Sequence, residues 1–81
     1  SILRPFEITA EHEVLEIGAG CGALSRYLGE CGASVLALEG SLRRAYIARS
    51  RTRDLDNVAV VAEKLSTFKT PQQFDVVTLI G

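Results

Sequence analysis

The chain has 81 residues, 47% of them hydrophobic, which suits one globular domain or part of one. No apolar run approaches the ~18 residues that a bilayer span needs, and a net charge of −1 gives no overall pull toward nucleic acid or an anionic membrane. Cys21 and Cys31 lack the paired spacing of a zinc site, and no basic-then-apolar leader precedes them, so they read as reduced thiols of a cytoplasmic protein, with no metal expected.

Residues 1–13 form a lead-in segment: Pro5 interrupts any early helix, and Glu7 to Glu13 mixes acids with one histidine and few apolar side chains. Val14 to Ile17 is a short, partly β-branched apolar run that stops at a glycine cluster, as a buried strand does. After Gly22, apolar residues at Ala23, Leu24, Tyr27, Leu28 and Cys31 recur at helical spacing, and Gly32 follows as a left-handed stop.

Ser34 to Leu38 reads as the second strand, closed by Glu39; Ser41 is a good N-cap for a helix running to about Thr52. A third strand is expected over Val58–Ala62, opened by Asn57, and a fourth over Phe74–Ile80, with Pro71 and two glutamines marking the loop before it. Strands that alternate with helices and are apolar throughout point to parallel βαβ units with right-handed crossovers.

The chemistry concentrates in Glu16-Ile17-Gly18-Ala19-Gly20-Cys21-Gly22, between the first strand and the first helix. Alternating glycines let the backbone turn sharply and approach a ligand with no Cβ in the way. Gly18, Gly20 and Ala23 also satisfy a dinucleotide-binding spacing, with Glu39 at about the 20-residue distance of a ribose-binding acid. Charge separates the readings: a pyrophosphate favours a helix N-terminus free of acids, whereas an acid at the strand's end suits a ligand carrying positive charge.

Val14 to Gly22 resembles motif I of the class I S-adenosylmethionine-dependent methyltransferases, and the resemblance extends through Gly81. It implies a three-layer, Rossmann-like α/β core with a parallel sheet ordered 3-2-1-4. Residues 14–81 would be a partial methyltransferase domain, truncated after the fourth strand and left with an edge that invites self-association. It also implies the cofactor S-adenosyl-L-methionine and methyl transfer to an unidentified acceptor.

By that resemblance Glu16 lies near the methionine moiety, and Gly18, Ala19, Gly20 and Gly22 form the loop beneath it. Glu39 accepts bonds from the ribose hydroxyls. Gly40 stands where the family often has a larger apolar residue against adenine, with Leu42 as a substitute. Glu63, Lys64 and Leu65 border the adenine, Glu63 as the acid for its amino group. Residues that position the acceptor are expected after the fourth strand, and Asp75 at its start is read as structural.

Two other classes remain: an NAD-binding oxidoreductase fragment, and a non-catalytic nucleotide-binding module. Arg43, Arg44, Arg49, Arg51 and Arg53 are read as a solvated helix face whose later members complement the helix dipole. His12, the single histidine, has no neighbouring acid and nucleophile to suggest a triad, and Cys21 is read as a small loop filler.

Overall fold

In the computed structural model, described over residues 10–79, the elements follow one another as β1 (Glu13–Ile17), α1 (Ala23–Glu30), β2 (Ser34–Leu38), α2 (Leu42–Arg51), β3 (Val58–Val61) and β4 (Val76–Leu79). The strands form one sheet in the order β3-β2-β1-β4, all parallel, as the alternation of elements requires.

Boundaries move by a residue or two. Glu13 already pairs with Ser34, β3 stops at Val61, and Cys31 and Thr52 serve as C-caps of the two helices. The larger difference is at β4, which opens at Val76. Phe74 and Asp75 precede it because Asp75 spends its polar groups locally: its N–H donates to the Glu13 carbonyl at 2.8 Å, and its Oδ2 accepts from the Glu13 N–H at 2.8 Å. These bonds fasten the start of β1 to β4 and bear out a structural Asp75. The expected Ile80 end of that strand lies outside the described residues.

Strand alternation divides the sheet into two faces. Val14, Glu16, Val35, Ala37, Val58, Val60, Val76 and Thr78 share the face on which α1 packs, and the buried core of Val14, Ala19, Leu28, Ala33, Val35 and Ala37 forms there. On the opposite face Val77 and Leu79 are 55% and 72% exposed. The two helices meet closely where a Cβ on Gly22 would stand 2.8 Å from Ala48 Cα. Asn57 ties the layers from below, its Nδ2 donating to the carbonyls of Gly29 at 2.8 Å and Ala33 at 2.7 Å. No helix among the described residues is long and apolar enough to cross a membrane.

Candidate cofactor site

The C-terminal ends of β1 and β2 carry the glycine loop and Glu39. Gly18, Gly20 and Gly22 all have positive φ, at 78°, 60° and 88°, a region that glycine enters without the Cβ penalty. The loop is hung from the neighbouring strand, because the N–H groups of Gly18 and Ala19 both donate to the Leu38 carbonyl, at 2.9 and 3.0 Å. A Cβ built on Gly20 would meet nothing within 4 Å, so the loop opens there into free space. Gly22 is the opposite case: it is buried against Ala48 and serves helix packing.

Glu39 is 5% exposed, and its carboxylate holds the loop. Oε1 accepts from the Gly20 N–H at 2.8 Å, while Oε2 accepts from the Ser41 N–H at 2.9 Å and from Arg44 Nε at 3.4 Å. Burial pushes this carboxyl up, but the backbone donors of Ser41 and Gly20 and the Arg44 guanidinium outweigh it, leaving the group below its ordinary value of 4.5. The stability it contributes is therefore present above that value and lost as pH falls through the lowered native one.

Glu16 is 1% exposed, and its Oε1 accepts a hydrogen bond from Ser25 Oγ of α1. Its other oxygen, Oε2, is buried with no hydrogen-bond partner. Burial pushes the carboxyl above 4.5, partly offset by the Ser25 bond. Its contribution has the opposite sign: present below the ordinary value and lost as pH rises through the raised one. A positively charged ligand atom would offset the cost of burying the carboxylate and supply the missing partner.

The structure also brings Gly40 and Lys64 together. A Cβ on Gly40 would stand 2.9 Å from Lys64 Cγ, so the lysine stem lies where a larger residue at position 40 would reach. The N–H groups of Glu39 and Glu63 both donate to the Val61 carbonyl, at 3.0 Å each, which sets the start of the 63–65 loop beside the end of β2. Glu63 is half-buried, whereas Lys64, Leu65 and Leu42 are exposed.

Three participants escaped the sequence reading. Ser25 is a polar residue on the buried stripe of α1, a signal visible once the helix phase is known. Arg44 sits among exposed arginines, and its partner Glu39 distinguishes it from them. Thr78 is buried beside Glu16 on β4, with no hydrogen-bond partner for Oγ1. Among the described residues, no three His, Cys, Asp or Glu side chains come together as a metal site would need.

A parallel sheet with the 3-2-1-4 order, a glycine loop after the first strand and an acid after the second define a nucleotide-cofactor α/β fold; of the expected three layers the described residues show two, the sheet and one helical layer formed by α1 and α2 together. Comparison with known proteins narrows the class. Residues 14–81 match the family described as "Methyltransferase domain". The ribosomal RNA small subunit methyltransferase A of Streptococcus sanguinis (strain SK36) is 39% identical in an alignment spanning 86% of this chain and 27% of that protein.

Among solved structures, DhpI in complex with SAH aligns at 31% identity with a TM-score of 0.76, over 96% of this chain and 36% of DhpI. Protein arginine methyltransferase 10 of Arabidopsis thaliana aligns at 29% identity with a TM-score of 0.77, over 85% of this chain and 21% of its own. The chain belongs to the methyltransferase domain family, with the class I, Rossmann-like architecture and S-adenosylmethionine as the family's cofactor. It spans about a quarter of the length of the curated relatives it matches.

Proposed function

We propose that this chain is the cofactor-holding part of an S-adenosylmethionine-dependent methyltransferase, and that the loop Gly18–Gly22, with Glu16 and Glu39, forms the binding site. One observation carries the reading. A buried acid with a free oxygen, Glu16, stands at the strand end behind a helix N-terminus that has no side-chain cap. That pairing suits a zwitterionic amino-acid end, its carboxylate toward the α1 N-terminus and its ammonium toward Glu16. A pyrophosphate brings neither a positive charge nor a donor to this acid, which argues against an NAD-type ligand.

S-adenosylmethionine, when bound, supplies a methyl group on an electron-poor sulfonium, so the protein's contribution is mainly to hold the reactants in line. Gly20 leaves room for the ligand above the loop. Glu39 offers the ribose hydroxyls what remains of its roughly four lone-pair sites. Three of these already serve Gly20, Ser41 and Arg44, and Arg44 is the longest and most exposed of the three partners. It is the one that gives way to a second ribose hydroxyl. Gly40, Glu63, Lys64 and Leu65 border the adenine side.

The acceptor is left open. The relatives' names range from ribosomal RNA to protein arginine, and this chain spans only about a quarter of each. The exposed arginines of α2 and its end could form a phosphate-binding stripe, but a net charge of −1 weakens that reading, and they are taken as a solvated helix face. Cys21 and Cys31 are both free, in keeping with a cytoplasmic protein, and the outer edge of β4 is the place for contact between copies.

Gly20→Ala tests the site directly. At φ 60° the new methyl costs the fold about 1–2 kcal/mol of left-handed strain, yet it projects into the open space over the loop. The expected result is a folded variant whose affinity for S-adenosylhomocysteine, measured by calorimetry, drops at least tenfold. Unchanged affinity would mean that the ligand does not approach this loop.

A further inference from the structure

Two polar atoms inside the molecule have no partner among the described residues: Glu16 Oε2 and Thr78 Oγ1. They are neighbours. Glu16 pairs with Thr78 in the β1–β4 register, so both side chains leave the same face of adjacent strands, and the two residues are 1% and 5% exposed. An unpaired buried carboxylate is costly, and a carboxyl group can avoid the cost by keeping its proton.

Among the described residues, the groups around Glu16 supply no compensating charge. Ser25 faces it from α1, Ala37 from β2 and Thr78 from β4, all uncharged. On α1, Arg26 points outward to Glu30 and Asp54, and Tyr27 is exposed. Cys21 of the loop is exposed, and Cys31 lies beyond the far end of α1. Glu39 is bound to Gly20, Ser41 and Arg44 past the end of β2, and Glu13 and Asp75 sit at the opposite end of the strands.

We propose that Glu16 and Thr78 form a proton-coupled seat for the ammonium group of the cofactor. In the ligand-free chain the Glu16 carboxyl is protonated, with Oε1 accepting from Ser25 and the acid proton on Oε2 facing the Thr78 hydroxyl. When the ammonium arrives, that proton leaves to solvent, the carboxylate faces the positive charge, and the Thr78 hydroxyl reverses to donate to Oε2. No other bond changes, and one proton is released for each ligand bound. That Glu16 lies near the cofactor's amino-acid end belongs to the reading above, on which this inference rests; the proton and the role of Thr78 are added to it. Thr78 is a positioning residue acting through Glu16.

The test is calorimetric titration of the full-length protein with S-adenosylhomocysteine in buffers of different ionisation enthalpy, from mildly acidic to neutral pH. 5′-Methylthioadenosine, which lacks the amino-acid end, is the second probe. With S-adenosylhomocysteine, proton release should approach one per site at the acidic end, and affinity should rise by up to about tenfold per pH unit before levelling off. With methylthioadenosine there should be no release and a flat profile.

Glu16→Gln should abolish the release for S-adenosylhomocysteine. Thr78→Val should move the affinity profile to higher pH and weaken S-adenosylhomocysteine several-fold, leaving methylthioadenosine unchanged. Tight binding of S-adenosylhomocysteine with no proton exchange in the unaltered protein would overturn the inference and leave the cofactor reading standing, whether or not the Gln variant folds. Binding by neither probe would overturn the cofactor reading and this inference with it. A Thr78→Val profile identical to that of the parent would remove Thr78 from the seat.

Discussion

Replacing Glu39 by alanine should lower the affinity for S-adenosylhomocysteine by roughly five- to 150-fold, equivalent to about 1–3 kcal/mol for the lost charge-assisted ribose bonds. The same carboxylate holds Gly20 and Ser41 by their backbone N–H groups at 2.8 and 2.9 Å, so the variant should also lose about 1–3 kcal/mol of stability as those donors turn to water. Glu39→Gln separates the two effects. Its amide oxygen can still accept from Gly20, but its NH2 group can accept nothing, so it should restore much of the stability and little of the affinity. Denaturation and calorimetry on the three proteins read both quantities. A folded Glu39→Ala variant that binds as tightly as the parent would show that Glu39 is a structural clamp alone.

The largest expected loss of stability comes from Gly22→Ala. The new Cβ would stand 2.8 Å from Ala48 Cα, 3.0 Å from its Cβ and 3.2 Å from its carbonyl oxygen, at a φ of 88°. The nearest of these is backbone, so a rotamer change cannot relieve the contact and α2 must move away from α1. Left-handed strain of about 1–2 kcal/mol and overpacking of about 1–3 kcal/mol add to roughly 2–5 kcal/mol.

Marginal stability of about 0.05–0.15 kcal/mol per residue makes that a large fraction of the total, and the thermal midpoint should fall by on the order of 10–30 °C. Gly20→Ala carries strain without the clash and should fall far less. If the two variants melted together, the close helix approach at Gly22 would not be a main source of stability.

The fold was legible where a local pattern and a global requirement coincide. Val14–Ile17 and Ser34–Leu38 are short apolar runs, the first ending at glycines and the second at an acid, and a parallel sheet buries such runs on both sides. The glycine loop announced itself because left-handed backbone needs glycine, and all three of its glycines have positive φ. Ser41 was recognisable as a cap, and its side chain accepts from the Arg44 N–H at 3.3 Å.

What stayed hidden depends on the phase and register of distant elements. Nothing in the order of residues says that Ser25 turns inward to Glu16, because that requires the roll of α1 over β1. The Glu16–Thr78 pair needs both the adjacency of β1 and β4, which the 3-2-1-4 order supplies, and the register, which it does not. Arg44 was hidden for another reason: its exposure matches that of the surrounding arginines, and only the position of Glu39 singles it out. At Phe74-Asp75 a hydrophobic run read as strand is shortened by side-chain bonding to Glu13, which periodicity does not register.

The cofactor site at the glycine loop is read most simply from an amide proton-nitrogen NMR spectrum of this chain, titrated with S-adenosylhomocysteine and separately with NAD. With a cofactor site at this loop, the spectrum is dispersed, and the signals of Gly18 to Gly22, Glu39 and Gly40 move with S-adenosylhomocysteine and stay in place with NAD. A dispersed spectrum that ignores S-adenosylhomocysteine, or one whose loop signals move with NAD instead, would contradict such a site.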